Sequence, residues 1–417
     1  MNILLKAATI VDQNNKKFHL KKRDIFIKNG IIDEIAPKID VSSKVKTIES
    51  KGLHVSAGWF DSSVSFGEPG FEERETISNG LHTAAKNGFT DVVLNPNTYP
   101  VPDSSAAIVF LKNAAQSSAT RLHPLGTLTA DSKGIDLAEL YDMQGAGAVG
   151  FYDFKHPVKN ANLLKIALQY AQNFDGLVHS FPLDTQIAGK GVVNEGEVST
   201  RIGLKGIPAL AEELQIARDL FILEYTGGKL HIPTISTANA VKLIAEGKKK
   251  GLNVSCSVAW HNLYFTDETL SDFNTDFKVL PPLRTKKDTK ALIEGVKKGT
   301  IDYVTSDHTP LNIELKQVEF DNAAYGSLGF ESAFGIAQQL FDLETTIALL
   351  TKGRERYGVA MPSIAEGTEA NLTLFEPNSS YMFKKEHITS SSKNSMFLNT
   401  AMKGSVLGVI CNGQVII

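Results

Sequence analysis

The stretch "WFDSSVSFGEPG" (59–70) opens as an apolar run, places Asp61, Ser63 and Ser65 at alternate positions, and breaks at a Glu68-Pro69-Gly70 turn. Residues i and i+2 of a strand share one face, so these polar side chains point the same way. The pattern recurs along the chain. Candidate strands follow at FTDVVLNPN (89–97), RLHPLGTL (121–128), AVGFYDF (148–154), GLVHSF (176–181), KLHIPTIS (229–236), NVSCSVAW (253–260) and IDYVTSD (301–307). Helical stretches lie between them, among them ISNGLHTAAKNG (77–88), NLLKIALQYAQ (162–172) and ANAVKLIAEGKKKG (238–251).

Eight strand–helix units over about 300 residues predict a (β/α)8 TIM barrel, with a doubly wound open sheet as the alternative. The open sheet would carry a glycine-rich phosphate loop after its first strand, and none is present. Polar residues fall where candidate strands end, at Asn97, Asp153, His179, Thr234 and Asp307. In a barrel those ends meet at one mouth, where active sites lie. Both termini are strand-rich, with Asn-Gly turns in "KNGIIDEI" (28–35) and "VLGVICNGQVII" (406–417), a hairpin signal. The expected organisation is therefore a small β-sandwich domain from residues 1–55 and 365–417, around a barrel domain of residues 56–364. The helix containing "EELQIARDLFILEY" (212–225) has apolar residues at helical spacing, which predicts packing against the barrel and not a partner-binding face.

The chain's 417 residues are enough for one large domain and a smaller one. A net charge of -3 gives no field that would favour nucleic acid or an anionic membrane, so neither is expected as a partner. No apolar run nears the roughly 18 residues of a membrane span. The N-terminus lacks the pattern of a secretory signal. Cys256 and Cys411 belong to no cluster and read as buried thiols in a reducing compartment, so a cytoplasmic protein is expected.

Several longer strings resemble dihydroorotases of the amidohydrolase superfamily, of the type bridged by an Asp instead of a carboxylated lysine. They are EPGFEERETI (68–77), NPNTYPVPD (95–103), GAVGFYDFKHPVKN (147–160), GVVNEGEVSTRIGLKGIPALAEELQIARD (191–219), FKVLPPLRT (277–285), GTIDYVTSDHTP (299–310) and SKNSMF (392–397). The resemblance implies a (β/α)8 barrel with a terminal β-sandwich. It also implies hydrolysis of a cyclic amide by zinc-bound water, whose pKa the metal lowers to about 7.

Against that pattern, the His-x-His pair of the first strand falls on Ser63 and Ser65, and the sixth-strand histidine on Thr234. The resemblance leaves Asp153 as the bridging carboxylate, His179 as the fifth-strand ligand, and Asp307 as ligand and general base. All three are read as vestigial. Asp153 and Asp307 could equally persist by bonding strand-end backbone groups, and His179 as a satisfied pocket histidine. His231, three residues before Thr234, should face the opposite side of its strand. The family's substrate-carboxylate arginine falls on Gly67, while a substrate-binding asparagine is kept as Asn97. Leu280 and Leu311 replace two further polar positions, which predicts a mouth less cationic and more apolar. His308 and His261 are retained without a ligand role.

Two readings follow. The preferred one is a non-catalytic dihydroorotase-like protein of pyrimidine biosynthesis, with no cofactor, a structural partner of aspartate carbamoyltransferase and itself a homo-oligomer. The alternative is an active zinc-dependent dihydroorotase or related cyclic amidohydrolase with an atypical metal site.

Overall fold

The computed structural model describes residues 2–42 and 44–417. Three parallel strands, Trp59–Val64, Phe89–Leu94 and Arg121–Pro124, form one arc of a barrel. Four more, Leu177–His179, Lys229–Ile232, Val254–Ala259 and Tyr303–Thr305, form the other. At one junction Phe151 bridges Gly126 on one side and Val178 on the other. At the second, Val64 bridges His308 and the Ser65 amide donates to the His308 carbonyl at 2.8 Å. The ring is closed, as the alternation of strands and helices predicts. The fourth predicted strand, 148–154, is reduced to the single residue Phe151 with its two bridges, and the chain reaches φ +56° at Lys155.

Asp61 pins the closure. Its buried carboxylate accepts from the amides of Ser63 (3.0 Å) and Ser306 (2.9 Å) and from the Thr305 hydroxyl, tying the first strand to the eighth.

Both termini build one eight-stranded sheet, in the order Gln414–Ile416, Ala401–Cys411, Leu372–Met382, His54–Ala57, Asn2–Val11, Lys22–Lys28 and Ile31–Ala36, with Lys46–Ile48 beside Asn2–Val11. Both Asn-Gly turns are present: Asn29-Gly30 and Asn412-Gly413 have positive φ at each residue, the geometry of two-residue hairpin loops. Ile27 and Ile32 from one end of the sheet share an apolar cluster with Leu372, Leu374 and Ile410 from the other. The sheet also folds over on itself, since Ile31 bridges Glu369 and the Ala370 amide donates to the Gly30 carbonyl at 2.8 Å.

The sheet meets the base of the barrel around Trp59, whose ring packs on Phe334 (5.0 Å) and Phe375 (5.7 Å). Gly58 is required there, since a Cβ would lie 2.0 Å from Asn371 Oδ1 and 2.2 Å from Thr90 Oγ1. Arg354 locks the junction. It is fully buried, pairs with Asp91 at 2.6 Å and donates to the Gly58 carbonyl at 2.7 Å, while His123 reaches the other Asp91 oxygen at 2.9 Å.

The helix Ala209–Thr226 packs Ile216, Leu220 and Leu223 into the barrel core as expected, and departs from expectation in what else it buries and exposes. Its inner face includes Ile216 and Leu223, but also Glu212, Gln215 and Asp219. Glu212 accepts the Ser236 (2.7 Å) and Thr237 (2.9 Å) amides at the entry of the next barrel helix, and Asp219 accepts from Ser180 Oγ (2.6 Å). Leu210, Leu214, Phe221 and Tyr225 are exposed on the outer face. The polar groups face inward because they satisfy neighbouring backbone, and part of the apolar periodicity is left in solvent.

Cys256 and Cys411 are buried free thiols. Among the described residues no helix is long and apolar enough to cross a membrane.

Removing one member of a buried ion pair strands the other, so Arg354→Met is expected to lower the unfolding free energy by about 3 to 5 kcal/mol in urea denaturation. Burial raises the Asp61 carboxyl from 3.8 to about 6, against the hydrogen bonds that favour its ionised form. With the folded pKa above the unfolded one, this group's stabilising contribution is complete below 3.8 and is lost as pH rises through about 6. The stability advantage of the native chain over Asp61→Asn, which does not titrate, should therefore shrink by about 2 to 3 kcal/mol between roughly pH 4 and pH 7. A pH-independent difference in urea midpoints would refute it.

Candidate functional site

The C-terminal strand ends converge on one mouth, where most polar residues are tied into the protein and a few buried polar atoms have no partner. Ser63 and Ser65 are buried on the same face, as their spacing predicts. The Asn95 side-chain amide joins them, donating to Ser63 Oγ at 3.1 Å and to Ser65 Oγ at 3.2 Å. Sequence reasoning overlooked Asn95 in favour of Asn97, two residues further on. Asn97 also reaches the mouth region with a buried Oδ1 that has no partner.

Asp153 is buried and caps the loop after the third strand. Its Oδ1 accepts from the amides of Leu128 (2.9 Å) and Thr129 (3.0 Å), and its Oδ2 from the Thr129 hydroxyl. Burial pushes its pKa up, opposed by those hydrogen bonds. The expectation that it bonds strand-end backbone holds for Asp153 and fails for Asp307. Asp307 Oδ2 takes the Lys155 ammonium at 2.8 Å instead, and its Oδ1 has no partner. Both side chains are withdrawn from solvent, at 1% exposure for Asp307 and 11% for Lys155. Burial raises the Asp307 pKa and the Lys155 charge opposes the rise. Lys155 brings a full positive charge into a mouth expected to be less cationic. The sequence placed it two residues after Asp153, but nothing in that spacing revealed a partner 152 positions away.

The histidines are held neutral. His179 Nε2 lies 3.2 Å from the Tyr357 hydroxyl and its ring stacks on Tyr152, while its Nδ1 has no partner. Burial, then the Arg356 charge, lowers its pKa to about 3. His231 sits 4.9 Å from the His179 ring, with Ser255, Ser257 and Tyr303 on its nitrogens. The opposite-face expectation for His231 and Thr234 does not apply, because the strand ends at Ile232 and Thr234 takes φ +49°. Ser257 Oγ then contacts both, accepting the Thr234 amide at 3.1 Å. His308 stacks on Phe330 and accepts the Gly329 amide at 3.2 Å, a packing role. His261 is buried near Lys155, and burial followed by that charge takes its pKa to about 3.

The loop that follows the first strand closes over position 67. A Cβ at Gly67 would stand 1.7 Å from the Phe71 carbonyl oxygen, so no arginine fits there with this backbone. Leu311 is buried, its amide bonded to Asn394 Oδ1 at 3.0 Å, and Leu280 packs against the aromatic cluster around Tyr152. Arg284 is internal, donating to the Ile207 carbonyl (2.7 Å), Asn194 (2.9 Å) and Ser236 (3.0 Å).

Zinc needs three or four deprotonated donors converging on one point. Asp153 points to backbone amides, Asp307 to an ammonium and His179 to a phenol, and among the described residues no three His, Cys, Asp or Glu side chains are placed to share a metal ion. The donor set present does not fit the zinc centre that the family resemblance implies. Buried atoms without a partner do line the mouth: Asp307 Oδ1, Thr234 Oγ1, His261 Nε2 and Asn97 Oδ1.

Residues 53–240 match the family described as "Dihydro-orotase-like". The chain is 38% identical to the dihydroorotase of Pelotomaculum thermopropionicum, with 100% of this chain and 98% of that protein covered. It is 37% identical to the dihydroorotase of Acetivibrio thermocellus, over 100% of this chain and 99% of that one. Among solved structures it superposes on the L-hydantoinase (dihydropyrimidinase) of Arthrobacter aurescens with a TM-score of 0.83 at 20% identity, over 99% of this chain and 95% of that one. The dihydropyrimidinase of Brevibacillus agri gives a TM-score of 0.83 at 19% identity, over 100% and 95%. These structural likenesses show the fold alone, a (β/α)8 barrel with a terminal sheet. The sequence relatives go further, and with them the chain belongs to the dihydroorotase family.

Proposed function

We propose that this chain is a non-catalytic dihydroorotase homologue of pyrimidine biosynthesis, which serves as a structural partner of aspartate carbamoyltransferase. The observation that carries the reading is the Lys155–Asp307 ion pair. The carboxylate that would act as general base is already paired with a fixed ammonium, which also repels a divalent cation from that point. Support comes from three further places. Asn95 binds the two serines to each other, Asp153 is taken up by backbone amides, and the collapsed loop at Gly67 excludes a carboxylate-binding arginine. Partnership with the transferase rests on the resemblance to the family's non-catalytic members.

The unpartnered polar atoms of the mouth favour a second reading, an active zinc-dependent cyclic amidohydrolase that rearranges on binding metal and substrate. Elemental analysis and a dihydroorotate assay with added zinc separate the two. The non-catalytic reading expects zinc well below one per chain and no turnover above background. Zinc-dependent turnover abolished by Asp307→Asn would overturn it. Co-sedimentation with the transferase of the same organism tests the partnership, and its failure would remove that half of the reading.

The ion pair makes a separate prediction. Lys155→Met leaves a buried carboxylate without its cation, and is expected to destabilise the chain by about 3 kcal/mol at neutral pH. Adding Asp307→Asn should recover part of that loss, because no ion is then left unpaired. Urea denaturation of both variants measures it.

A further inference from the structure

Two buried carboxylates hold the consecutive serines Ser390 and Ser391. Glu75 accepts the Ser391 amide at 2.9 Å and its hydroxyl at 2.7 Å, and the Asn79 side-chain amide at 2.9 Å. Glu331, 7% exposed, accepts the Ser390 amide at 3.1 Å and its hydroxyl at 2.7 Å, both on Oε1. Its Oε2 is buried and has no partner. Among the described residues neither acid is in an ion pair. Burial raises the Glu331 pKa, the Ser390 bonds oppose the rise, and the charge of Glu75 adds to it. Neutral donors alone face this pair of acids, and a buried carboxylate without a counter-ion is costly.

Glu331 stands in the wall of a cavity of about 360 Å³, bounded by the helices Ile77–Lys86 and Phe330–Leu340 and the strand Ala401–Cys411. Phe330, Phe334 and Tyr381 give it aromatic walls, and the His387 ring lies 4.9 Å from that of Tyr381. Lys86 also lines it, but its ammonium is engaged by the Ile417 carbonyl at 2.8 Å. The volume lies in the range of small-molecule sites, about 300 to 1,000 Å³. The acid selects the ligand by what it has left to offer. Calcium or magnesium needs about six oxygens, and one is free. A guanidinium takes both oxygens of a carboxylate side by side, and Oε1 is already filled by Ser390. A quaternary ammonium has no hydrogen to give to Oε2. A primary ammonium has one, and the aromatic rings cover its alkyl chain and attract its charge.

We propose that the cavity beside Glu331 binds a small primary alkylammonium ion, its N–H donated to Glu331 Oε2 and its chain laid against Phe334 and Tyr381. The assignment does not depend on how the mouth is read. Isothermal titration of the full chain with n-butylammonium chloride should give one site with a Kd on the order of 1 mM. Two probes of similar size divide the interaction: 1-butanol lacks the charge, and tetramethylammonium lacks the N–H. Each should bind at least about tenfold more weakly than butylammonium. Glu331→Gln should weaken butylammonium at least about tenfold, with an unchanged circular dichroism spectrum. If that variant does not fold, Tyr381→Leu serves in its place, since it leaves the serine bonds alone. It should weaken binding by about threefold through loss of the ring face. A native chain that takes up no butylammonium at concentrations on the order of 50 mM overturns the proposal. So does tetramethylammonium or 1-butanol that binds as tightly as butylammonium, or a folded Glu331→Gln or Tyr381→Leu chain with the native Kd.

Discussion

Asp61 accepts three hydrogen bonds, two of them from residues at the end of the eighth strand, and the closed ring that results decides where every loop of the mouth begins. The carboxylate is fully buried. Its desolvation opposes the bonds it accepts, so the link that closes the barrel is also one of its most costly polar groups. Because the ring is continuous, residues from strands far apart in sequence are carried to one rim, among them Asp153 and Asp307.

At that rim each buried acid is neutralised locally. Asp153 takes backbone amides and a hydroxyl, and Asp307 takes an ammonium. A metal centre would draw these acids towards one shared cation. Here the negative charges are satisfied separately, and the serines on the first strand need only an asparagine. Lys155, Thr234 and Asp307 all hold positive φ without being glycine, a conformation that costs on the order of 1 kcal/mol each. The barrel therefore holds a strained rim in which some polar atoms, Asp307 Oδ1 and Thr234 Oγ1 among them, have no partner.

Much of the architecture was legible from local pattern. The barrel strands are short apolar runs, and the two Asn-Gly turns are fixed by residues that tolerate positive φ. The fourth strand was overread, because its extent depends on where Asp153 finds amides, a contact outside its own segment. The helix Ala209–Thr226 was assigned correctly and packs Ile216, Leu220 and Leu223 against the barrel as its spacing predicts, but Leu214, Phe221 and Tyr225 stay outside. Periodicity shows that apolar residues are spaced to share a face, not that this face is turned inward. Glu212 and Asp219 decided that by bonding Ser236, Thr237 and Ser180. In the mouth Ser63, Ser65 and Thr234 stood out in the sequence, as did the possible backbone role of Asp153. The Lys155–Asp307 pair was not, because chain distance hides a contact made only when the barrel closes.

The loop at Gly67 sets a direction for change. A carbonyl oxygen stands where any Cβ would have to go, so even alanine at this position requires the backbone of 67–71 to move. The Phe71 amide bond to Gly67 and the Gly67 amide bond to Glu75 would be disturbed before a new side chain could contact anything. Any larger residue at position 67 is therefore reached only through a rearranged and less stable loop, so this turn holds its glycine by backbone geometry and not by any contact of a side chain.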